Sequence, residues 1–342
     1  MGDTILDVKN LKVHFDLDEG LLKAVDGVDF TLKRKQTLGI VGESGSGKSV
    51  SAQSVLRIVS SKAKVEGELL LYRAAGQEPI DLAQLKANGA EIRSIRGGDI
   101  AMIFQEPMKA FSPIHTIGNQ IIEAILLHHT TNKNEAKKIA IQALRDVGMS
   151  NPEQRYDQYP HELSGGMRQR AMIAMALSCN PSILIADEPT TALDVTVQAQ
   201  VLDLINALKE KHDTSVMFIT HDLGVIAETA DEVAVMYLGQ IVEYTDVDTL
   251  FHGAQHPYTR ALLESMPSVA KEGRRLKAIE GTVPTPINMP KGCRYYTRCT
   301  LAQDGVCNVD DIEMVPVHEG HGVRCLFAEP SPKGEGEVAY GK

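Results

Sequence analysis

The chain of 342 residues is 43% hydrophobic and 23% charged, the balance of an ordinary globular protein rather than a disordered or fibrous one. It exceeds the size at which one hydrophobic core usually stops growing, so a large domain with an appended module is expected. A formal net charge of -10 excludes a broad phosphate-tracking surface, and nucleic acid is not an expected partner. No apolar run reaches the roughly 18 residues that cross a bilayer, and MGDTILDVKN lacks the pattern of a signal peptide.

In chain order, ILDVKNLKVHF and AVDGVDFTLK alternate apolar and polar residues, which predicts antiparallel strands. LGIVG, a glycine-rich and serine-rich turn and SVSAQSVLRIV then read as strand, loop and helix. From about 107 to 165 the chain changes character, and IGNQIIEAILLHH and NEAKKIAIQALRDVG predict an inserted helical subdomain. A long helix from near Gly165, the strand SILIA, the helix VTVQAQVLDLINALKEKH and the strand SVMFIT follow. Such alternation predicts a mostly parallel sheet covered on both faces, an α/β fold. Beyond about Asp246 the chain is loop-rich, and its polar end, SPKGEGEVAYGK, reads as a frayed terminus.

Gly42, Glu43, Ser44, Gly45, Ser46, Gly47, Lys48 and Ser49 fit G-x-x-x-x-G-K-[ST] between a strand and a helix. The glycines let backbone N–H groups turn inward around anionic oxygens, and the helix that follows points its positive end at them. Lys48 adds a charge for the terminal phosphates, and Ser49 a hydroxyl for Mg2+. Val50 is grouped with the same nucleotide set. The loop does not choose between ATP and GTP.

Asp187 and Glu188 end the apolar run ILIA, at the carboxyl end of a buried strand where ligands sit in open parallel sheets. Asp187 suits Mg2+, and Glu188 suits orienting or deprotonating a water. Ser164, Gly165 and Gly166 open a helix and offer either a plain N-cap or a second anion site.

These segments, with the Thr191, Ala192, Leu193, Asp194 turn, the glutamine of IFQEP and the histidine of FITHD, stand in the order seen in ABC-type ATPases, which the chain resembles over essentially its whole length. The resemblance implies a P-loop NTPase of the ABC ATPase fold: a RecA-like core, an antiparallel β subdomain and an inserted helical subdomain. It implies ATP as the nucleotide, sandwiched in two copies between two ATPase subunits, the signature segment of one completing the site of the other. It also implies roles: Gln105 senses Mg2+ and the transport partner, His221 contacts the terminal phosphate, Asp194 communicates across the dimer and Phe15 stacks on adenine. Phe15 also reads as one more apolar strand residue. Met108, Phe111 and Ile114 lie in the segment that faces a permease helix in this family, or serve subdomain packing.

HPYTRALL at residues 256 to 263 resembles the start of the extension in oligopeptide and dipeptide importer ATPases. The resemblance divides the chain into an ATPase domain, 1–250, and an extension, 251–342. It implies a peripheral motor subunit at the cytoplasmic face of the membrane, partnered by integral permease subunits and a second ATPase subunit, and indirectly by an extracytoplasmic solute-binding protein. Importers of oligosaccharides or nickel chelates, and soluble ABC ATPases without a transport role, are the alternatives.

Cys179, in AMIAMALSCNP, reads as a packed small hydrophobe, whereas Cys293, Cys299, Cys307 and Cys325 crowd the last fifth of the chain. In a reducing compartment such a group suggests metal before disulfide. Four thiolates suit tetrahedral zinc or a cubane iron–sulfur cluster, and the closely spaced pairs usual for zinc are absent. The resemblance to the peptide-importer branch implies a 4Fe-4S cluster, with zinc as the alternative.

Overall fold

The computed structural model describes residues 3–74, 77–106, 110–191, 193–266 and 279–329. The polar terminus at residues 331–342, Ala192 of the turn and Met108 lie outside them. In chain order come β1 (Thr4–Leu17), β2 (Gly20–Lys33), β3 (Thr37–Val41), α1 (Lys48–Val55), β4 (Ala63–Leu71), β5 (Ile80–Asp81), α2 (Ala90–Ile95) and β6 (Ile100–Ile103). Then follow α3 (Ile117–His128), α4 (Lys133–Asp146), α5 (Pro152–Tyr156), α6 (Gly165–Leu177), β7 (Ile183–Asp187), α7 (Val195–His212) and β8 (Ser215–Thr220). The last elements are α8 (Leu223–Thr229), β9 (Glu232–Tyr237), β10 (Gln240–Asp246), α9 (Val247–Gly253), α10 (Pro257–Glu264), β11 (Val315–His318) and β12 (His321–Val323). Among the described residues no helix is long and apolar enough to cross a membrane.

The chain gathers into two compact units, one formed by Met1–Leu32, Thr37–Gln84 and Thr220–Lys342 and the other by Lys33–Gln36 and Leu85–Ile219. In the first, β1 pairs antiparallel with β4 from Leu6 opposite Leu71 to Phe15 opposite Ala63, and β4 pairs antiparallel with β5. A second ladder runs β11, β12, β10, β9, β3. Only β3 with β9 is parallel in it, Leu38 facing Glu232 and Val41 facing Val235. All five residues of β3 are buried, which is why TLGIV is a continuous apolar run instead of an alternating one.

The extension contributes β11 and β12 to this ladder by pairing β12 with β10. Beneath that pairing lies Glu243, 0% exposed. A buried carboxylate is costly unless its oxygens are satisfied. Here they accept from the Gln255 N–H at 2.7 Å, the His256 N–H at 3.1 Å and His321 Nε2 at 2.8 Å. One side chain of β10 thus anchors the entry to α10 and the last strand.

The helix predicted over SVSAQSVLRIV ends early, at Val55. Arg57 is left-handed, with φ +54°, and the Ile58 N–H bonds back to the Gln53 carbonyl at 3.0 Å, closing the turn. Leu56 is still buried, so the apolar pattern outlasts the helix.

In the second unit β7 lies parallel between β6 and β8. Every residue of β7 and of β8 is buried. The predicted helical insertion is α3 to α5: α3 buries Ile117, Ile121 and Ile125, and α4 buries Ala136, Ala140 and Leu144. A four-residue spacing puts each trio on one helix face. Asn132 caps α4 by accepting from the N–H groups of Asn134 and Glu135 at 2.9 and 3.3 Å. Phe111 is buried in this unit, whereas Ile114 is 76% exposed.

Candidate functional site

β3 delivers the chain to Gly42, and two of the loop's glycines are required by contact as well as by dihedral angle. Gly42 has φ +153°, and a Cβ there would stand 2.1 Å from the Met236 carbonyl oxygen. Gly47, at φ +99°, would put its Cβ 2.3 Å from the Ala24 carbonyl oxygen. Any side chain at either position collides with backbone, which cannot yield cheaply. The turn after β9 lies behind the loop: the Gly239 N–H donates to the Ser46 carbonyl at 2.8 Å, and the Asp26 N–H to the Gly239 carbonyl at 2.8 Å.

Lys48 begins α1 and is 5% exposed. Its Nζ donates to the carbonyls of Gly42 at 2.7 Å and Glu43 at 3.0 Å, so the ammonium is held by the loop it serves. Ser46 is buried, Ser49 and Val50 are half-buried on α1, and Ser44 and Gly45 form the exposed crest. A helix start and a lysine held beside it by the loop carbonyls are suited to phosphate oxygens. Phe15 is half-buried near the end of β1, opposite Ala63.

In the second unit β7 ends on Asp187, 4% exposed. Glu188 follows with φ +47°, a left-handed conformation costing a bulky residue on the order of 1–3 kcal/mol and concentrated at functional sites. Its N–H donates to the Ile219 carbonyl at 2.9 Å. Its Oε2 accepts from Gln105 Nε2 at 2.8 Å and from the Thr191 hydroxyl at 2.8 Å. Two residues singled out separately in the sequence therefore meet, and Thr191 joins them.

Ser164 caps α6, its side chain accepting from the Met167 N–H at 3.3 Å. Gly165 is exposed with nothing within 4 Å of where a Cβ would be, which leaves room for a ligand or partner to approach. Asp194 caps α7, accepting from the Val197 N–H at 3.0 Å. His221 is exposed in the first unit, just before Asp222, which caps α8 by accepting from the Gly224 N–H at 2.8 Å. Gln169, unremarked in the sequence, is 2% exposed and donates to the Pro189 carbonyl at 2.6 Å, tying α6 to the segment after Glu188.

Cys293, Cys299, Cys307 and Cys325 line one cavity of about 10 Å3 together with His256, Tyr295 and Ile312, roughly the room of one water-sized sphere. Burial pushes the Cys293 thiol up to about 11. Among the described residues no group of three or more His, Cys, Asp or Glu is arranged to hold a metal ion. The four thiols match the expected ligand number and share one cavity, and that shared lining is all that favours an iron–sulfur cluster or zinc there. Cys179 is half-buried, and burial raises its thiol as expected of a packed side chain.

A phosphate loop after a buried strand, paired acids at the end of another and a capped glycine signature define a P-loop ATPase. Residues 25–191 match the family model described as ABC transporter, and the chain belongs to that family of ATP-hydrolysing subunits. Residues 242–307 match a second model, described as oligopeptide/dipeptide transporter, C-terminal region. The chain is 48% identical to the oligopeptide transport ATP-binding protein AppD of Bacillus subtilis (strain 168), over 95% of this chain and 97% of that protein. It is 43% identical to the dipeptide transport ATP-binding protein DppD of Escherichia coli (strain K12), over 94% and 96%. Among solved structures, the dimeric post-hydrolysis state of the ATP-binding cassette MJ0796 bound to ADP and Pi superposes with a TM-score of 0.62 at 25% identity, covering 71% of this chain and 98% of that one.

The two classes of loop glycine predict losses of different size. Gly47→Ala is expected to weaken ATP binding more than about tenfold in an equilibrium titration, since the clash is with fixed backbone. Gly45→Ala, with open space around it, is expected to lose no more than about tenfold, the cost of a left-handed alanine.

Proposed function

We propose that the chain is the motor subunit of an importer of oligopeptides or dipeptides, seated peripherally at the cytoplasmic face of the membrane. The observation that carries the reading is the extension: it matches the C-terminal region of oligopeptide/dipeptide transporters and joins the ladder that holds the phosphate loop. The matches at 25–191 and 242–307 support an ATPase domain at 1–250, with its helical subdomain at about 107–165, and an importer-type extension at 251–342. Permease subunits and a second ATPase subunit are its partners, with a solute-binding protein outside the membrane. Exposed Ile114 offers a permease helix an apolar contact.

On this reading the amides of Gly42, Ser44, Gly45, Ser46 and Gly47, with Ser49 and Val50, embrace the phosphates, and Lys48 supplies the positive charge. Ser49, Gln105 and the buried Asp187 would hold Mg2+, which neutralises charge on the phosphates. Glu188 accepts the proton of the attacking water or orients it, and its hydrogen bonds from Gln105 and Thr191 keep the carboxylate in one orientation. His221 contacts the terminal phosphate, Phe15 stacks on adenine, and Asp194 communicates between subunits. Ser164, Gly165 and Gly166 of a second subunit complete the site. ATP then holds two subunits together, and hydrolysis removes the phosphate that both were gripping. Phosphoryl transfer asks little covalent work of a protein, so placement and charge supply most of the catalysis.

We also propose that the cysteines are the ligands of a 4Fe-4S cluster, with zinc as the alternative. Four thiols gathered around one cavity support this. The module's modest role is to staple a loop-rich segment.

Purification from membranes is expected to recover integral permease subunits with the chain, and a purely cytosolic set of partners would count decisively against the importer. Glu188→Gln should leave ATP binding intact, reduce turnover on the order of a hundredfold or more and trap a nucleotide-dependent dimer; undiminished turnover refutes its role. Anaerobic preparations are expected to contain iron and acid-labile sulfide, and zinc alone, or neither, rejects the cluster.

A further inference from the structure

The extension reaches the phosphate loop through side chains that ATP hydrolysis as described above does not use. Residues 293–299, CRYYTRC, place an arginine beside each of two cysteines. The Arg298 side chain is 4% exposed, and its guanidinium grips Glu43, the residue after Gly42, with Nη1 to Oε2 at 2.6 Å and Nη2 to Oε1 at 3.1 Å. Two parallel bonds of this kind are stronger and more directional than a single ion pair. Arg298 is itself fixed: Nε donates to the Glu280 carbonyl at 2.9 Å, and the rings of Tyr237 and Tyr295 lie 5.8 and 5.9 Å away.

Glu43 is held from its backbone as well. Its N–H donates to the hydroxyl of Tyr258 at 2.8 Å, and Tyr258, on α10, is fully buried. Arg294, at the other end of the segment, donates to the Leu238 carbonyl and pairs with Asp26. Those contacts brace the turn whose Gly239 N–H supports Ser46.

The placement has an electrostatic consequence. Glu43 is a carboxylate in a loop built to attract anions, and left alone it opposes the ligand's charge. Its own carbonyl also holds Lys48 Nζ at 3.0 Å, so a displaced Glu43 disturbs the lysine. We propose that Arg298, assisted by Tyr258, is a positioning residue for ATP: the extension clamps the phosphate loop at Glu43 within the same chain and cancels that residue's charge. The inference rests on the phosphate-loop reading of residues 42–49.

In the full-length chain, Arg298→Ala is expected to raise the Kd and KM for ATP roughly fivefold, the loss falling on KM more than on kcat. A merely structural role would lower kcat through lost folded protein and leave KM alone. Arg298→Lys, which keeps the charge without the fork, is expected to fall in between. Arg298→Ala combined with Glu43→Gln is expected to bind ATP no worse than Arg298→Ala alone, because the charge to be cancelled is gone. The clamp is overturned if Arg298→Ala binds ATP within about twofold of the native chain, or if the double variant shows the full product of the two single losses. Should Arg298→Ala fail to fold, an unchanged KM in Arg298→Lys overturns it equally. Lys48→Ala separates the two readings: ATP binding that survives it undiminished defeats the phosphate-loop assignment, whatever the arginine variants do.

Discussion

A seat for phosphate made from backbone amides needs a loop bent into conformations that glycine alone adopts at low cost, and it needs rigid backbone behind the bend. Here the support consists of carbonyls: Met236 behind Gly42 and Ala24 behind Gly47. Those carbonyls keep their places because β9 is parallel to buried β3 and the Gly239 turn is hydrogen-bonded to both the loop and Asp26. The loop is therefore preorganised, and little of the binding free energy is lost to ordering it. Lys48, held by two loop carbonyls, extends the same economy to the charge.

The acidic side follows a different rule. Asp187 and Glu188 depend on β7 being buried along its whole length, because a short central strand aims its last residues reproducibly. Glu188 is pushed further, into a left-handed backbone conformation tolerated because its N–H is tied to Ile219 next door on β8 and its carboxylate to Gln105 and Thr191. Strain of this kind persists only where surrounding bonds over-determine it. The carboxylate is thus presented in one orientation.

The extension changes meaning between sequence and structure. Its cysteines draw attention as a ligand set, yet it also touches the phosphate loop and its backing turn through Arg298, Arg294 and Tyr258. Pairing of β12 with β10, sealed by Glu243 and His321, brings the segment into position. An appended module that joins an existing ladder can influence the site it lies beside, whereas one on a flexible tether cannot.

Much was legible in the sequence because the signals are local. Alternation marked β1 and β2, four-residue spacing marked α3 and α4, and unbroken apolar runs marked β3, β7 and β8. The glycine and lysine spacing of the loop, and the capping serine at residue 164, belong to the same class, since each works through neighbours a few bonds away. Tertiary structure alone decided that Gln105 meets Glu188 across 83 positions, that Arg298 meets Glu43 across 255, that α1 stops at Val55 and that four separated cysteines line one cavity. Contacts of that kind leave no periodic trace along the chain: each is set by how strands and helices pack, and a side chain's partner is known only when the path between them has folded.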